Sequence, residues 1–296
     1  MSTSLQGRTA IVTGAGAGLG RAEALALAAA GASVVVNDVS EAASGVVDEI
    51  EGLGGKAVLV TGDVAERATA DALLSTAIEH LGGLDIVVNN AGLLRDRMLF
   101  SMSDDEWDTV LRVHLRGHFL LSRGAAAHWR QRSKADGKPV YGRLVNTASE
   151  AFLVGSPGQP NYAAAKAGIA ALTVSAARGL ARYGVCANAI CPRARTGMTE
   201  GVFGEAPAEG PDPLSVEHVA PFVAYLASPA AGAISGQVFV VHGGMVALLT
   251  PPQVEQRFDT EHGTWTPDEL AARVGPYFAG REKDRMFAAN EILSLP

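Results

Sequence analysis

Tyr162 and Lys166 stand four residues apart in Tyr162-Ala163-Ala164-Ala165-Lys166, so any helix through them puts both on one face. An ammonium beside a phenol favours the phenolate. A phenolate can take the proton of an alcohol near neutral pH. Taken alone, such a pair is equally an ordinary surface contact. A second set of residues gives it a context. Thr13-Gly14-Ala15-Gly16-Ala17-Gly18-Leu19-Gly20 follows the short apolar run Thr9–Thr13 and opens the helix-forming run Arg21–Ala30. Glycine there permits a tight turn and close approach by a pyrophosphate. The helix N-terminus adds unpaired N–H groups and a favourable dipole. Gly14, Gly16, Gly18, Leu19 and Gly20 are therefore candidate nucleotide-binding residues. No Lys-Ser/Thr pair closes this loop, which argues against a phosphate-loop NTPase.

Asp38 ends the run Val34-Val35-Val36-Asn37-Asp38. A carboxylate at that place can accept hydrogen bonds from both hydroxyls of an adenine ribose, and it repels a 2′-phosphate. No arginine immediately follows, so the expected cofactor is NAD rather than NADP. Capping of the next helix is the other use for Asp38. Asp63 and Val64 come after the third strand-like run and can bracket the adenine, although Asp63 also suits a turn. Asn89-Asn90-Ala91-Gly92 ends the fourth. Open parallel sheets bind ligands at the carboxyl ends of their strands, and the small Ala91-Gly92 pair leaves room for a cofactor. Asn90 equally suits repair of broken backbone hydrogen bonds.

The elements that must position these groups alternate along the chain. Strand-like runs at Thr9–Thr13, Ser33–Asn37, Val58–Thr61, Leu84–Asn89, Arg143–Asn146, Val185–Ile190 and Gln237–Val241 are separated by helix-like ones. Continuous apolar strands suit a parallel sheet covered on both faces. The alternation implies βαβ units. The fold class is α/β, a single Rossmann-like domain over residues 1–250 with a C-terminal extension at 251–296. Ser103 and Glu106 form a capping-box signature for a long helix reaching about Arg132. Ser133–Gly142 reads as an exposed loop. Gly197–Pro213 is long and aperiodic, which suits an active-site lid or a plain surface loop. In the extension, Thr266-Pro267-Asp268-Glu269 resembles a helix start. Forty-six residues make a marginal core, so Phe278, Met286 and Phe287 are expected to pack over the same or a neighbouring active site.

Composition limits the partners. The 296 residues carry a net charge of −7, with 48% hydrophobic and 19% charged residues. That is a globular balance, and it argues against nucleic acid as a partner. Two cysteines, Cys186 and Cys191, make neither a disulfide framework nor a zinc pattern. No metal is expected, and a reducing, cytoplasmic location is. No basic and apolar leader opens the chain. No run of about 18 uncharged apolar residues suggests a membrane span.

Thr13–Gly20, Asn89–Gly92 and Tyr162–Lys166 occur in the order and positions of the classical short-chain dehydrogenases, and the resemblance covers Leu5 to about Leu248. It implies a central parallel sheet of seven strands and a catalytic group of Asn, Ser, Tyr and Lys. By position the serine is Ser149, thirteen residues before Tyr162. It would bind the substrate oxygen. Lys166 would also hold the nicotinamide ribose beside Tyr162. The usual asparagine, which kinks its helix and holds a relay water, is His114 here. An imidazole can also bond to water or backbone and titrates near neutrality, so His114 either keeps the relay role or is structural. Thr196 would meet the carboxamide. Arg193 stands where the family often has glycine, so the local backbone path is expected to differ. The family implies a homotetramer or homodimer built through two long helices.

Leu93-Leu94-Arg95-Asp96-Arg97 and Val113-His114-Leu115-Arg116-Gly117-His118-Phe119 further resemble the (3R)-hydroxyacyl-CoA dehydrogenase domain of peroxisomal multifunctional enzyme type 2 and its actinobacterial relatives. That implies an acyl-CoA substrate, fatty acyl or steroid side-chain, oxidised at C3. Arg95, Arg97, Arg193 and Arg195 would meet CoA phosphates or form ordinary ion pairs. Leu153, Val154, Met198 and Phe203 would line an apolar opening or simply pack their loops. The alternatives are a 3-oxoacyl-[acyl-carrier-protein] reductase, a hydroxysteroid dehydrogenase, or a nucleotide-binding protein with no reaction of its own.

Overall fold

The computed structural model describes residues 2–199, 203–282 and 285–295. Strands β1 (Thr9–Thr13), β2 (Ser33–Asp38), β3 (Lys56–Thr61), β4 (Ile86–Asn89), β5 (Gly142–Thr147), β6 (Val185–Pro192), β7 (Val238–His242) and β8 (Met245–Leu248) form one sheet in the order β3-β2-β1-β4-β5-β6-β7-β8. Every pairing from β3 to β7 is parallel. The order reverses between β1 and β4, where an open α/β sheet leaves a crevice at its carboxyl edge. The apolar strand runs are explained by burial on both faces. Val12, Val34, Val36, Ile86 and Val88 face one core, while Ile11, Val35, Val87 and Leu144 face the other.

The seven expected strands are joined by an antiparallel eighth. Its cause is local. His242 pairs with Met245 across a two-residue Gly243-Gly244 turn, and Gly243 has φ +51°, as a tight hairpin requires.

Helices α1 (Gly18–Ala29), α2 (Ser44–Gly52), α3 (Arg67–Ser75), α4 (Asp104–Leu111), α5 (Gly117–Asp136), α6 (Ala151–Val154), α7 (Pro160–Leu180) and α8 (Ala220–Ala227) complete the main unit. The expected long helix after Ser103 is α4 and α5, separated by a π-helical turn at Arg112–Arg116. Ser103 and Glu106 make the capping box in both directions. α5 runs on through Ser133–Asp136, where the polar sequence suggests an exposed loop. It stops where Gly137 turns left-handed, the usual helix terminator. Ser133 Oγ donates to Lys138 O at 2.8 Å and secures that end.

The chain separates into two compact units, Met1–Leu249 and Thr250–Pro296. The second holds helix α9 (Pro267–Ala279), started by a capping box between Thr266 and Glu269. Its Glu255 carboxylate accepts from Tyr277 Oη at 3.0 Å and pairs with Arg281 and Arg285 at 2.6 and 3.1 Å. Among the described residues no helix is long and apolar enough to cross a membrane. Among those residues, too, no group of three His, Cys, Asp or Glu is placed to hold a metal.

Glu23 sits on α1 between Leu19 and Leu27, fully buried, with no partner for either carboxylate oxygen. Burial pushes its carboxyl from 4.5 up to about 8. The folded state therefore holds this proton more tightly than the unfolded chain between those two values. Across that window Glu23 makes stability fall as pH rises. Glu23→Gln removes the titration. Thermal unfolding should show the melting temperature of the native chain dropping more than the variant's between pH 5 and pH 8. Parallel pH profiles would refute the assignment.

Candidate active site

The carboxyl edge of the sheet gathers most of the candidate residues. Asn161, fully buried, starts the assembly. Its side-chain amide donates to Arg95 O and Glu106 O, both at 3.0 Å, and its Oδ1 accepts from Tyr162 N–H at 2.8 Å. The first turn of α7 is thereby tied to the 93–97 segment and to α4. Sequence reasoning missed Asn161. Its only signal is its place just before Tyr162, after Pro160 at the helix start.

One helical turn on, Lys166 is buried and donates from Nζ to Thr147 O at 2.6 Å. The same ammonium stands 5.3 Å from the Tyr162 ring centre. The Ser149 side chain lies beside the Tyr162 phenol, while its Oγ accepts from Ala151 N–H at 3.2 Å. Burial pushes the Tyr162 phenol up to about 12, opposed by the Ser149 side chain, which lowers its proton affinity. Burial also brings Lys166 down to about 7. The acidification of Tyr162 expected from its cationic neighbour is thus outweighed by desolvation of both groups.

His114 occupies the π-helical turn, a distortion frequent at functional sites. Its Nε2 lies 2.7 Å from Leu93 O and 3.0 Å from Leu93 N. Its ring stands edge-on to Tyr162 with centres 5.2 Å apart. Burial and then the charge of Lys166 drive its pKa well below the usual histidine range, so the ring is neutral. Nδ1 is buried without a partner. His118, one turn later, is also buried with Nε2 unpartnered, and burial lowers it to about 3. The four-residue spacing from His114 was visible in the sequence, but His118 was not singled out. Beneath these groups Asn89 donates to Asn146 Oδ1 (2.9 Å) and Ser122 Oγ (3.0 Å), and Asn146 donates to Thr173 Oγ1 (2.8 Å). That chain locks β4, β5, α5 and α7 together.

The glycine loop packs too closely for side chains. A Cβ on Gly14 would sit 2.8 Å from Ala91 Cα, one on Gly16 2.8 Å from Asp38 Oδ2, and one on Gly20 2.8 Å from the Gly14 carbonyl carbon. Thr13 Oγ1 accepts from Asn90 and Ala91 N–H at 3.0 and 3.1 Å, and Asn90 Nδ2 returns bonds to Thr13 O and Gly14 O. No side chain caps the N-terminus of α1, and Gly18 and Leu19 open that turn. Thr196 stands above it, with Cγ2 3.4 Å from a Cβ placed on Gly18. Asp38 accepts from Gly16 N–H and Ser40 N–H, each at 3.0 Å. Ser40, not Asp38, caps the next turn. Asp63 pairs with Arg112 at 2.8 Å, while Val64 packs where a Cβ on Gly117 would meet it. An uncapped helix start, a loop stripped of side chains and a carboxylate at the end of β2 fit the pyrophosphate and ribose of a dinucleotide.

The arginines divide. Arg95 is exposed and, among the described residues, makes no ion pair. Arg193 grips Glu150 through Nε and Nη2 at 2.7 and 2.8 Å, with little side-chain exposure. Its guanidinium is largely buried in that pair. Arg195 pairs with Asp212 at 2.9 Å and donates to Phe203 O and Gly204 O. Arg97 pairs with Glu106. Leu153 and Phe203 are partly buried and Met198 is 41% exposed. Residues 200–202 of the expected lid lie outside the described residues.

A short chain dehydrogenase family profile matches residues 8–205. The chain belongs to that family. It is an NAD-dependent oxidoreductase. Hydroxyacyl-CoA dehydrogenase ChsB1 of Mycobacterium tuberculosis is 61% identical over 302 residues, spanning 99% of this chain and 95% of that one. Peroxisomal multifunctional enzyme type 2 of Mus musculus is 41% identical over 82% of this chain and 32% of its own length. A crystal structure of a short chain dehydrogenase from Mycobacterium avium superposes with a TM-score of 0.84 at 44% identity, covering 95% of this chain and 98% of that one.

In this dehydrogenase Gly92 is the floor under His114. A Cβ there would overlap the imidazole, 2.9 Å from Nδ1. Gly92→Ala should therefore destabilise the fold by about 1–3 kcal/mol through overpacking, read by urea unfolding. Adding His114→Ala should recover much of that loss. Simple additivity of the two changes would show that the ring and Gly92 are not coupled.

Proposed function

We propose that this dehydrogenase oxidises the C3 hydroxyl of a (3R)-3-hydroxyacyl-CoA to the 3-oxo thioester. The observation that carries the substrate is the 61% identity to a protein named hydroxyacyl-CoA dehydrogenase, sustained over 99% of this chain. The observation that supports the chemistry is the cluster of Ser149, Tyr162 and Lys166, with Lys166 Nζ bonded to Thr147 O of β5 and 5.3 Å from the Tyr162 ring centre.

Ser149 binds the substrate hydroxyl and orients the reacting carbon. Tyr162, once its own proton has passed to the relay water, accepts the hydroxyl proton as phenolate, general-base work typically worth 10²–10⁴-fold in rate. Lys166, held by Thr147 O, sets the charge beside the phenol and holds the nicotinamide ribose with Tyr162. His114 keeps the π-turn in place through Leu93 and offers Nδ1 to a relay water. NAD, when bound, supplies the hydride acceptor. Gly14, Gly16, Gly18, Leu19 and Gly20 take its pyrophosphate, Asp38 the adenine ribose, Asp63 and Val64 the adenine. Asn90, Ala91 and Gly92 shape the cofactor crevice, and Thr196 meets the carboxamide. Arg95 is the arginine best placed in the open to meet CoA phosphates, with Leu153, Met198 and Phe203 along the acyl path. Oxidation releases a proton, so it gains over ketone reduction as pH rises.

Steady-state NADH formation with matched (3R)- and (3S)-3-hydroxyacyl-CoA series tests this. The 3R series should turn over. Tyr162→Phe should lose about three orders of magnitude in kcat while still binding NAD. Silence toward every thioester, with NAD bound, would reject the substrate.

The homo-oligomer is supported by α7, which leaves Ala164, Ala167, Ala171 and Ser175 exposed along one face. Beside it Phe119 is 41% exposed. Ala167→Glu should shift sedimentation toward the monomer. An unchanged sedimentation coefficient would place the interface elsewhere.

A further inference from the structure

Arg193 follows Pro192 at the end of β6, and Glu150 follows Ser149 at the end of β5. The two side chains meet fork to fork, Nε to Oε2 at 2.7 Å and Nη2 to Oε1 at 2.8 Å. Their side chains are only 15% and 17% exposed. Bidentate pairing of this kind fixes direction as well as distance. Each end is anchored in the sheet. Arg193 N–H donates to Val241 O of β7 at 3.0 Å, and Ala148 N–H donates to Ile190 O of β6 at 2.7 Å. Ser149 thus lies between a backbone bond to β6 and an ion pair to the segment that follows it. The carbonyl of Glu150 also accepts from Leu153 and Val154 N–H, so the same residue starts α6.

We propose that the Glu150–Arg193 pair is the positioning device for Ser149, clamping the 148–151 turn to the β6–β7 edge so that the Ser149 hydroxyl keeps its place beside Tyr162. This rests on the reading that Ser149 and Tyr162 handle the substrate oxygen. A ring-fenced ion pair is a poor source of net stability, because desolvating two charges cancels most of their attraction. What it supplies is geometry. An arginine where the family often has glycine is then explained. The side chain spans from the end of β6 to the turn after β5, a connection glycine cannot make. Neither residue touches the substrate in this scheme. They act through Ser149.

The test uses the full chain with NAD and four variants: Glu150→Gln, Arg193→Met, Arg193→Lys and the exchanged pair Glu150→Arg/Arg193→Glu. Glu150→Gln and Arg193→Met should lose about ten- to hundredfold in kcat, the scale of a misplacement near 1 Å. KM and the NAD dissociation constant should stay within about twofold, the pattern of an interaction that matters in the transition state. Arg193→Lys keeps the charge without the fork and should fall between. The exchanged pair should regain much of the rate. Hydrogen exchange over 148–154 should quicken in Glu150→Gln and Arg193→Met and return toward native in the exchanged pair. Unchanged kcat in both single variants overturns the proposal, and so does a lower kcat without faster exchange at 148–154. Rates are taken as ratios to the native chain on any secondary alcohol it oxidises. Failure of the acyl-CoA reading would show in the native chain's substrate panel, and failure of the clamp would show in these ratios. The exchange measurement needs no substrate, so it judges the clamp in either case.

Discussion

A single hydrogen bond, Lys166 Nζ to Thr147 O, organises the candidate site. It joins the middle of α7 to the carboxyl end of β5, the two elements that deliver Tyr162 and Ser149. It also holds a side-chain amine that is only 2% exposed to solvent. An amine so placed resists protonation, and a phenol beside it resists ionisation. Both effects are present here, with Lys166 near 7 and Tyr162 near 12. The pair stands far closer to a neutral lysine and a neutral tyrosine than spacing alone suggests. A site balanced in that way can shift a proton when a neighbouring charge arrives.

The surroundings follow from that burial. Lys166 cannot be surrounded by further cations, and the two histidines nearest it are both driven neutral. Each keeps one buried nitrogen without a protein partner. Such atoms are costly to leave unpaired, and His114 Nδ1 is pressed against Gly92. The π-helical turn is the backbone's part of the arrangement. It widens the helix at His114, so the imidazole can reach Leu93 on the segment after β4 while its edge meets Tyr162.

Around this centre, positions are fixed by polar clamps more than by loop length. Asn161 ties α7 to α4, Asn90 ties the glycine loop to β4, and Asn89 with Asn146 ties two strands to two helices. Arg193 and Arg195 leave the end of β6 in opposite roles, one toward Glu150 and the other toward Asp212. A segment with two inward arginines differs from a glycine-bearing one in that it carries its own struts. Arg95 remains exposed.

The order of strands and helices was legible in the sequence because buried parallel strands must be continuously apolar and the helices between them must be amphipathic. The glycine loop, Asp38, Tyr162 and Lys166 were legible for a similar reason: each obeys a local rule of turn, strand end or helix spacing. The capping boxes at Ser103 and Thr266 belong to the same class. The Gly243-Gly244 hairpin was written locally too, yet β8 is only four residues, Met245–Leu248, with no clear alternation to announce it. Other features depend on atoms far apart in the chain. Asn161 reaches residues 55 and 66 positions away, and Glu150 meets Arg193 across 43. No periodicity records such meetings. Proton affinities were the least legible of all, because they depend on how much water the finished fold excludes. Spacing put an ammonium next to a phenol, and only the packed interior decided that neither would keep its charge easily.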